Sequence, residues 1–565
     1  MSHIMSFTPN DNTPQPELQV VIIGGVAGGM STATRMRRLN ASAQITVLER
    51  SGFVSFANCG LPYYVGGLID REDDITLQTP ESLYKRFRLD VRTGHEAVDI
   101  DTKRHVVIYK KSDDETIREL PYDKLVISTG AKPLQPSIPG YENVHTLRLV
   151  EDANKLLARL DETPKTAVII GAGFIGLEIA ENLIAKGLEV HLIEGTNQVL
   201  PPLDPEMAIV ILDELEKNGV HVTLGHTVTK VTDKTVTLSD GREINTDLTI
   251  GAIGVRPDNQ LAQKVGLKLG PHGGIAVNEY NQTSEEDIYA VGDVIEKVDS
   301  VTSEPSFIAL ANVANRHGRR VADHIAGYKS HPSPSMGTAI VKVFSKTAAS
   351  VGWSEKRLAA KQIPYRVVRA HPYSHATYYP GATPLNMKLL FSPDTKEILG
   401  AQIVGEEGVD KRIDVIATAM AGNLKVDQLA DLELAYAPPF SSAKDPVNML
   451  GYISENILSG ECDTIEADEL DNLDRTEWTL LDVRTKSEFR HGYIEGAINI
   501  PVDELRERLD EIPQKNLIVY CEIGLRGHTA TTLLQELGYK VRNLDGGYRT
   551  YVTYVRSKDN AGNQE

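Results

Sequence analysis

The chain has 565 residues, a net charge of -19, 41% hydrophobic and 24% charged residues. That length exceeds a single hydrophobic core and predicts roughly three to four domains. No run of about 18 apolar residues could span a bilayer, and the acidity speaks against wholesale binding to nucleic acid or an anionic membrane. Three cysteines with no CxxC pair exclude a disulfide framework and point to a reducing compartment, the cytoplasm.

Residues 1–16 are polar, rich in Pro, Asn and Thr, lack a basic-then-apolar leader, and predict a disordered arm. From Leu18 to Gly29 the string LQVVIIGGVAGG runs from a buried strand into a glycine-rich turn. MSTATRMRRL then reads as a helix, and ITVLER as a second strand ending in Glu49 and Arg50. A turn of this kind (Gly24, Gly25, Val26, Ala27, Gly28) lets the backbone approach a pyrophosphate at the helix N-terminus. The strand-end acid, 25 residues beyond Gly24, accepts from ribose hydroxyls. Val26 stands where the second glycine of GxGxxG would be. Two basic clusters, Arg35 with Arg37 and Arg38, and Lys85 with Arg86 and Arg88, suit an anionic small molecule.

SFANCGLPYYVGG, from Ser55 to Gly67, places Cys59 in a turn-rich loop just after this first unit, with no second cysteine four or five residues away. The string TAVIIGAGFIG then repeats the nucleotide pattern with Gly171, Gly173 and Gly176, and Glu194 lies 23 residues beyond Gly171. A carboxylate there accepts from a free 2′-hydroxyl and repels a 2′-phosphate, which favours NADH over NADPH. Two further strand ends carry small or acidic residues: Ser128, Thr129 and Gly130 after YDKLVI, and Asp293 after DIYAVG.

From 334 to 457, TAIVKVF, NMKLLFS and ILGAQIVG read as strands and Asp410 to Asn423 as a helix. GECDTIEADELDN is acidic and poor in apolar residues, which suits a linker with Cys462 as an incidental exposed thiol. WTLLDVR, AINIP, LIVYC and KVRNLDGG then form a small α/β pattern of their own. There Cys521 ends a strand and heads the loop EIGLRG before the helix HTATTLLQEL. That order turns backbone N–H groups and the positive end of a helix toward the sulfur, and Arg526 adds a fixed charge, a cradle suited to a Cys–S–S⁻ persulfide.

The four nucleotide strings in this order resemble the two-dinucleotide-binding flavoprotein disulfide reductases. LLDVRTKSEFRHGYIEGAINIP, CEIGLRG and LDGGY resemble a single-domain rhodanese. SFANCGLPY, with that C-terminal fusion, resembles the coenzyme A disulfide/persulfide reductases, the single-cysteine branch of the family; the resemblance covers nearly everything after Glu17. It implies an α/β architecture: two Rossmann-like dinucleotide-binding domains for FAD (17–150 and 255–333) and NAD(P)H (151–254), and an α+β dimerisation domain (334–457). A linker (458–470) and a small α/β rhodanese domain (471–558) complete it, and the chain is expected to form a homodimer.

The resemblance also implies roles. Asp293 would bond the ribityl chain and phosphate of FAD, and the cofactor set extends to Arg50, Asn58, Ala97, Val98, Ser128, Thr129, Gly130, Gly254 and Ala311, with Phe174 and Ile175 in the second glycine loop. Cys59 would form a mixed disulfide with coenzyme A, Asn58 and Ser55 flanking it. Tyr436 and Tyr378 would act on the substrate sulfur across the dimer, with Tyr379 an open alternative to Tyr378. Arg38, Asn315 and Arg319 would meet the CoA phosphates. The substrate is CoA disulfide, CoA persulfide or polysulfide; the fused sulfur carrier favours the last two. A competing reading is an NADH oxidase or peroxidase cycling a Cys59 sulfenic acid, whose relatives carry a histidine at the position of Ala27. A second is a non-catalytic scaffold or redox sensor.

Overall fold

The computed structural model describes residues 17–329, 334–513 and 516–562; the arm expected at 1–16 lies outside them. The first unit is a parallel sheet in the order Ile288–Ala290, Lys124–Ile127, Gln19–Ile23, Gln44–Glu49, Asp90–Thr93. Val21 and Ile23 enter one core and Val20 and Ile22 another, so both faces of the central strand are covered and its sequence shows no polar alternation. The strand from Ile288 belongs to a segment that leaves this unit and returns after the second one. That return brings in the helix Ala311–Ile325, which lies along the helix Ala27–Leu39. Arg35 pairs with Asp323 at 2.7 Å, and Ser31 donates to Asn315 Oδ1 at 2.8 Å. The crossing is close enough that a Cβ on Gly318 would collide with the Gly28 carbonyl.

The second unit repeats the design with four parallel strands, Val220–Thr223, Glu189–Ile193, Thr166–Ile170 and Leu248–Gly251. The third is antiparallel, in the order Ala339–Val343, Lys346–Gly352, Ile398–Gly405, Leu385–Phe391, Arg366–Ala370, with helices Val409–Ala421 and Pro446–Ser459 against it. The fourth is a parallel sheet, Thr464–Ile465, Lys540–Leu544, Asn516–Tyr520, Thr479–Asp482, Ile498–Asn499.

The edge strand of that last sheet corrects the expectation of a linker. Thr464 and Ile465 pair with Asn543 and Leu544, so this acidic segment is part of the fourth unit. Cys462 is accordingly buried, and burial, then the Asp463 charge, pushes its thiol up to about 11. Composition suggested solvent here, but a two-residue edge strand needs only one inward apolar side chain, which Ile465 supplies, with Cys462 buried just before it.

Three units meet in a buried charged seam. Lys388, fully buried on the third sheet, donates to Glu206 at 2.6 Å and to Glu355, and pairs with Asp204 at 2.9 Å. Arg369 reaches Glu206 and Glu466, each at 3.1 Å, and Asp545 at 2.9 Å. The terminal helix Gly547–Gly562 packs on the helix Pro205–Lys217 of the second unit, with Arg556 paired to Asp213.

Candidate active site

The two glycine turns are braced identically. Gly25 N–H donates to Glu49 Oε2 at 2.7 Å and Ser51 N–H to Oε1 at 2.8 Å; Ala172 N–H donates to Glu194 Oε2 at 2.8 Å and Thr196 N–H to Oε1 at 2.9 Å. Each strand-end acid therefore pins its own turn while keeping lone pairs for a ribose. Gly24 (φ +106°) and Gly171 (φ +105°) require the left-handed region. The helices starting at Ala27 and Phe174 have no side-chain cap, which leaves their first N–H groups for an anion.

Asp293 supplies the test of fit for a flavin dinucleotide. Its Oδ2 accepts from Arg148 at 2.9 Å, but its Oδ1 is buried without a partner. An orphaned carboxylate oxygen is costly unless a ligand hydroxyl completes it. Ser128, Thr129 and Gly130 end the neighbouring strand; Ser128 N–H donates to Ile23 O, and Thr129 Oγ1 to Asp258 O at 2.8 Å. Arg50 pairs with the same Asp258 at 2.9 Å, and Gly254 (φ +102°) accepts from Leu134 N–H. Ala97 and Val98 lie at a register shift in an antiparallel sheet, where the Val98 carbonyl accepts from Lys264.

Cys59 sits in the turn Asn58–Gly60 that opens the short helix Leu61–Gly66, held down by buried Leu61 and Val65. Ser55 has φ +50°, a strained value for a residue with a Cβ, and donates its N–H to Gly25 O, which ties the loop to the first glycine turn. The thiol is open to solvent yet raised above its usual value, by burial first and the Glu178 carboxylate second, with Arg148 opposing and Asp293 adding a smaller push.

Glu178 was not legible in the sequence. It lies on the helix Phe174–Ala185 of the second unit, accepts from Tyr63 Oη at 3.2 Å, and burial pushes it up to about 7. Tyr63 rises to about 12 by burial and by that carboxylate. Helix periodicity alone places Glu178 on a surface; only the docking of the Cys59 helix against this one turns it toward the sulfur.

Ala311, Asn315 and Arg319 share an exposed face of one helix at four-residue spacing, and exposed Arg38 lies over the Phe87 ring at 5.4 Å. Tyr378 and Tyr436 join hydroxyl to hydroxyl at 2.7 Å, and both are exposed. Tyr379 instead stands edge-on to His375.

Cys521 is buried at 1% exposure, and Gly524 N–H donates to its sulfur at 3.2 Å ahead of the helix Leu525–Glu536. Arg526, expected as a fixed charge at this sulfur, faces Cys521 while its fork takes Glu488 at 2.6 and 2.8 Å. Among the described residues, no group of His, Cys, Asp and Glu could hold a metal ion, and no helix is long and apolar enough to cross a membrane.

A lone accessible thiol between two braced nucleotide turns defines a flavin-linked pyridine nucleotide oxidoreductase. The chain belongs to the pyridine nucleotide-disulphide oxidoreductases, whose pattern matches residues 18–318, with the family's dimerisation domain at 338–446 and a rhodanese-like domain at 466–553. It is 35% identical to the coenzyme A disulfide reductase of Staphylococcus haemolyticus over 443 residues, 78% of this chain and 100% of that one. The crystal structure of reduced Bacillus anthracis CoADR-RHD superposes with a TM-score of 0.94 at 46% identity, covering 96% of this chain and 99% of that one. A NAD-dependent persulfide reductase from A. fulgidus gives 0.88 at 39%, covering 94% and 100%.

Proposed function

We propose that the chain is a cytoplasmic, homodimeric, FAD-dependent reductase of CoA disulfide and CoA persulfide or polysulfide that draws on NADH, with a rhodanese domain carrying sulfane sulfur on Cys521. The observation that carries this reading is the isolation of Cys59. It is exposed, and the other two cysteines are buried in the C-terminal part, so its partner sulfur must arrive with the substrate.

The first glycine turn, Glu49, Ser128 to Gly130 and Asp293 would hold FAD; the second turn, Phe174, Ile175 and Glu194 would hold the nicotinamide dinucleotide. Bound FAD supplies the passage of an electron pair from nicotinamide to sulfur. The Cys59 thiolate attacks one sulfur of a CoA disulfide, forming Cys59–S–S–CoA and expelling a CoA thiolate; with CoA persulfide the expelled species is hydrosulfide. Two electrons and a proton then return the adduct to Cys59 thiolate and CoA thiol. Tyr436 and Tyr378, exposed in one protomer, reach the partner's substrate and donate to the leaving thiolate. Arg38, Ser55, Asn58, Asn315 and Arg319 position CoA. Ala27 offers no proton donor for peroxide cleavage, which disfavours the oxidase or peroxidase reading.

The test is NADH consumption with CoA disulfide, CoA persulfide, peroxide or oxygen. Turnover with the CoA substrates, its loss in Cys59→Ser, and its retention for the disulfide in Cys521→Ser are expected. Undiminished turnover in Cys59→Ser, or turnover on peroxide alone, overturns the proposal.

A further inference from the structure

We propose that the Cys521 loop selects its sulfur donor by charge, with Glu522 as the specificity-determining residue: it excludes dianionic donors of the thiosulfate class and admits the sulfane end of a persulfide on an uncharged alkyl chain, at most a monoanion. This rests on the reading of Cys521 as a sulfur carrier.

The argument starts from the arginines at the loop, each of which is already committed. Arg484 binds Asp482 at 2.7 Å and Glu522 at 3.2 Å. Arg549 lies 3.8 Å from the other oxygen of Glu522. Arg526, which also faces the Cys521 sulfur, is held by both oxygens of Glu488. Three guanidinium groups thus meet three carboxylates, and the residue next to the reactive sulfur carries one of the negative charges. What remains for an incoming anion is the backbone cradle, where Gly524 N–H points at the sulfur from 3.2 Å. Such a cradle stabilises one negative charge, that of the thiolate or the persulfide it becomes.

The rim points the same way. Leu525, within the loop, is 66% exposed and Tyr493 52%. Phe489 stacks on Tyr493 at 4.3 Å and adjoins the Glu488 that holds Arg526. An apolar rim over a charge-balanced mouth favours an alkyl chain ending in sulfur over a hydrated dianion.

In the step itself, the Cys521 thiolate attacks the outer sulfur of R–S–SH. The new S–S bond forms as the old one breaks, and R–S⁻ leaves and takes the proton of the transferred sulfur. The products are Cys521–S–S⁻ and R–SH, with no net change of electrons. With thiosulfate the same attack gathers three negative charges, plus Glu522, around one cradle.

The test loads the full-length holoenzyme with thiosulfate or with the persulfide of N-acetylcysteamine, an uncharged thiol, and follows sulfur gained on the Cys521 peptide by mass spectrometry. The wild type should load faster from the persulfide. Glu522→Gln should raise loading from thiosulfate about tenfold, leaving persulfide loading within about threefold, and Glu522→Arg should raise it further. Added salt should speed thiosulfate loading more steeply in the wild type than in Glu522→Gln, a response that misfolding would not mimic. A wild type that prefers thiosulfate, or a donor ratio unmoved by both substitutions and by salt, overturns the inference alone. Failure of every donor to load Cys521 overturns it together with the carrier reading.

Discussion

Arg369 Nη1 lies 2.9 Å from Asp545 Oδ2, a buried ion pair that joins the dimerisation domain to the segment just before the Gly546–Gly547 turn. That turn packs on the Cys521 loop: Tyr548 N–H donates to Cys521 O at 2.8 Å, and a Cβ on Gly547 would crowd the same carbonyl. The rhodanese domain is thus docked on its own chain through the residues that shape its sulfur site.

Removing Arg369 strands Glu466 and Asp545 in a buried seam, while Glu206 keeps Lys388. Arg369→Ala should therefore cost about 3–5 kcal/mol. Urea unfolding should show the C-terminal domain melting ahead of the rest, and limited proteolysis should cut first within 464–545. An unchanged midpoint would show that the seam adds nothing.

The same seam makes stability depend on pH. Burial pushes Glu466 up to about 7 against the pull of Arg369. A carboxyl raised in the folded state contributes fully below its unfolded value, near 4.5, and loses that contribution as pH climbs through about 7. The domain junction should weaken over that window by roughly 1–3 kcal/mol. Glu466→Gln should flatten the slope, as read from melting curves across the window; a slope equal to the wild type's would contradict the assignment.

Glu178 adds to burial in raising the Cys59 thiol. Above about 7 it is ionised and opposes a thiolate beside it. Glu178→Gln should therefore let the thiolate form at lower pH. Iodoacetamide alkylation rates against pH would report it; a shift to higher pH would reverse the sign of the argument.

Asp293→Asn removes the charge that pairs with Arg148 and weakens the orphaned acceptor Oδ1. Flavin retention should fall about tenfold or more. Visible absorbance after dialysis measures it, and full retention of colour would remove Asp293 from the flavin site.

Both nucleotide units could be read directly from the chain, because a glycine turn, a buried strand and a strand-end acid are local features whose spacing the backbone imposes. Glu49 and Glu194 were found that way, and the structure adds that each also braces its own turn. The acidic segment around Cys462 misled, since composition reports average solvation and not the pairing of a two-residue edge strand.

By itself the chain determined the order of units, the glycine turns and the isolation of Cys59, all of which follow from short-range stereochemistry and cysteine count. Tertiary structure alone decided that Glu178 faces that thiol from another domain, that Arg526 is neutralised by Glu488, and that Arg369 binds three units together. Those are charge pairings between residues far apart in sequence. Their partners are chosen by which surfaces lose water together, a choice that no local pattern encodes.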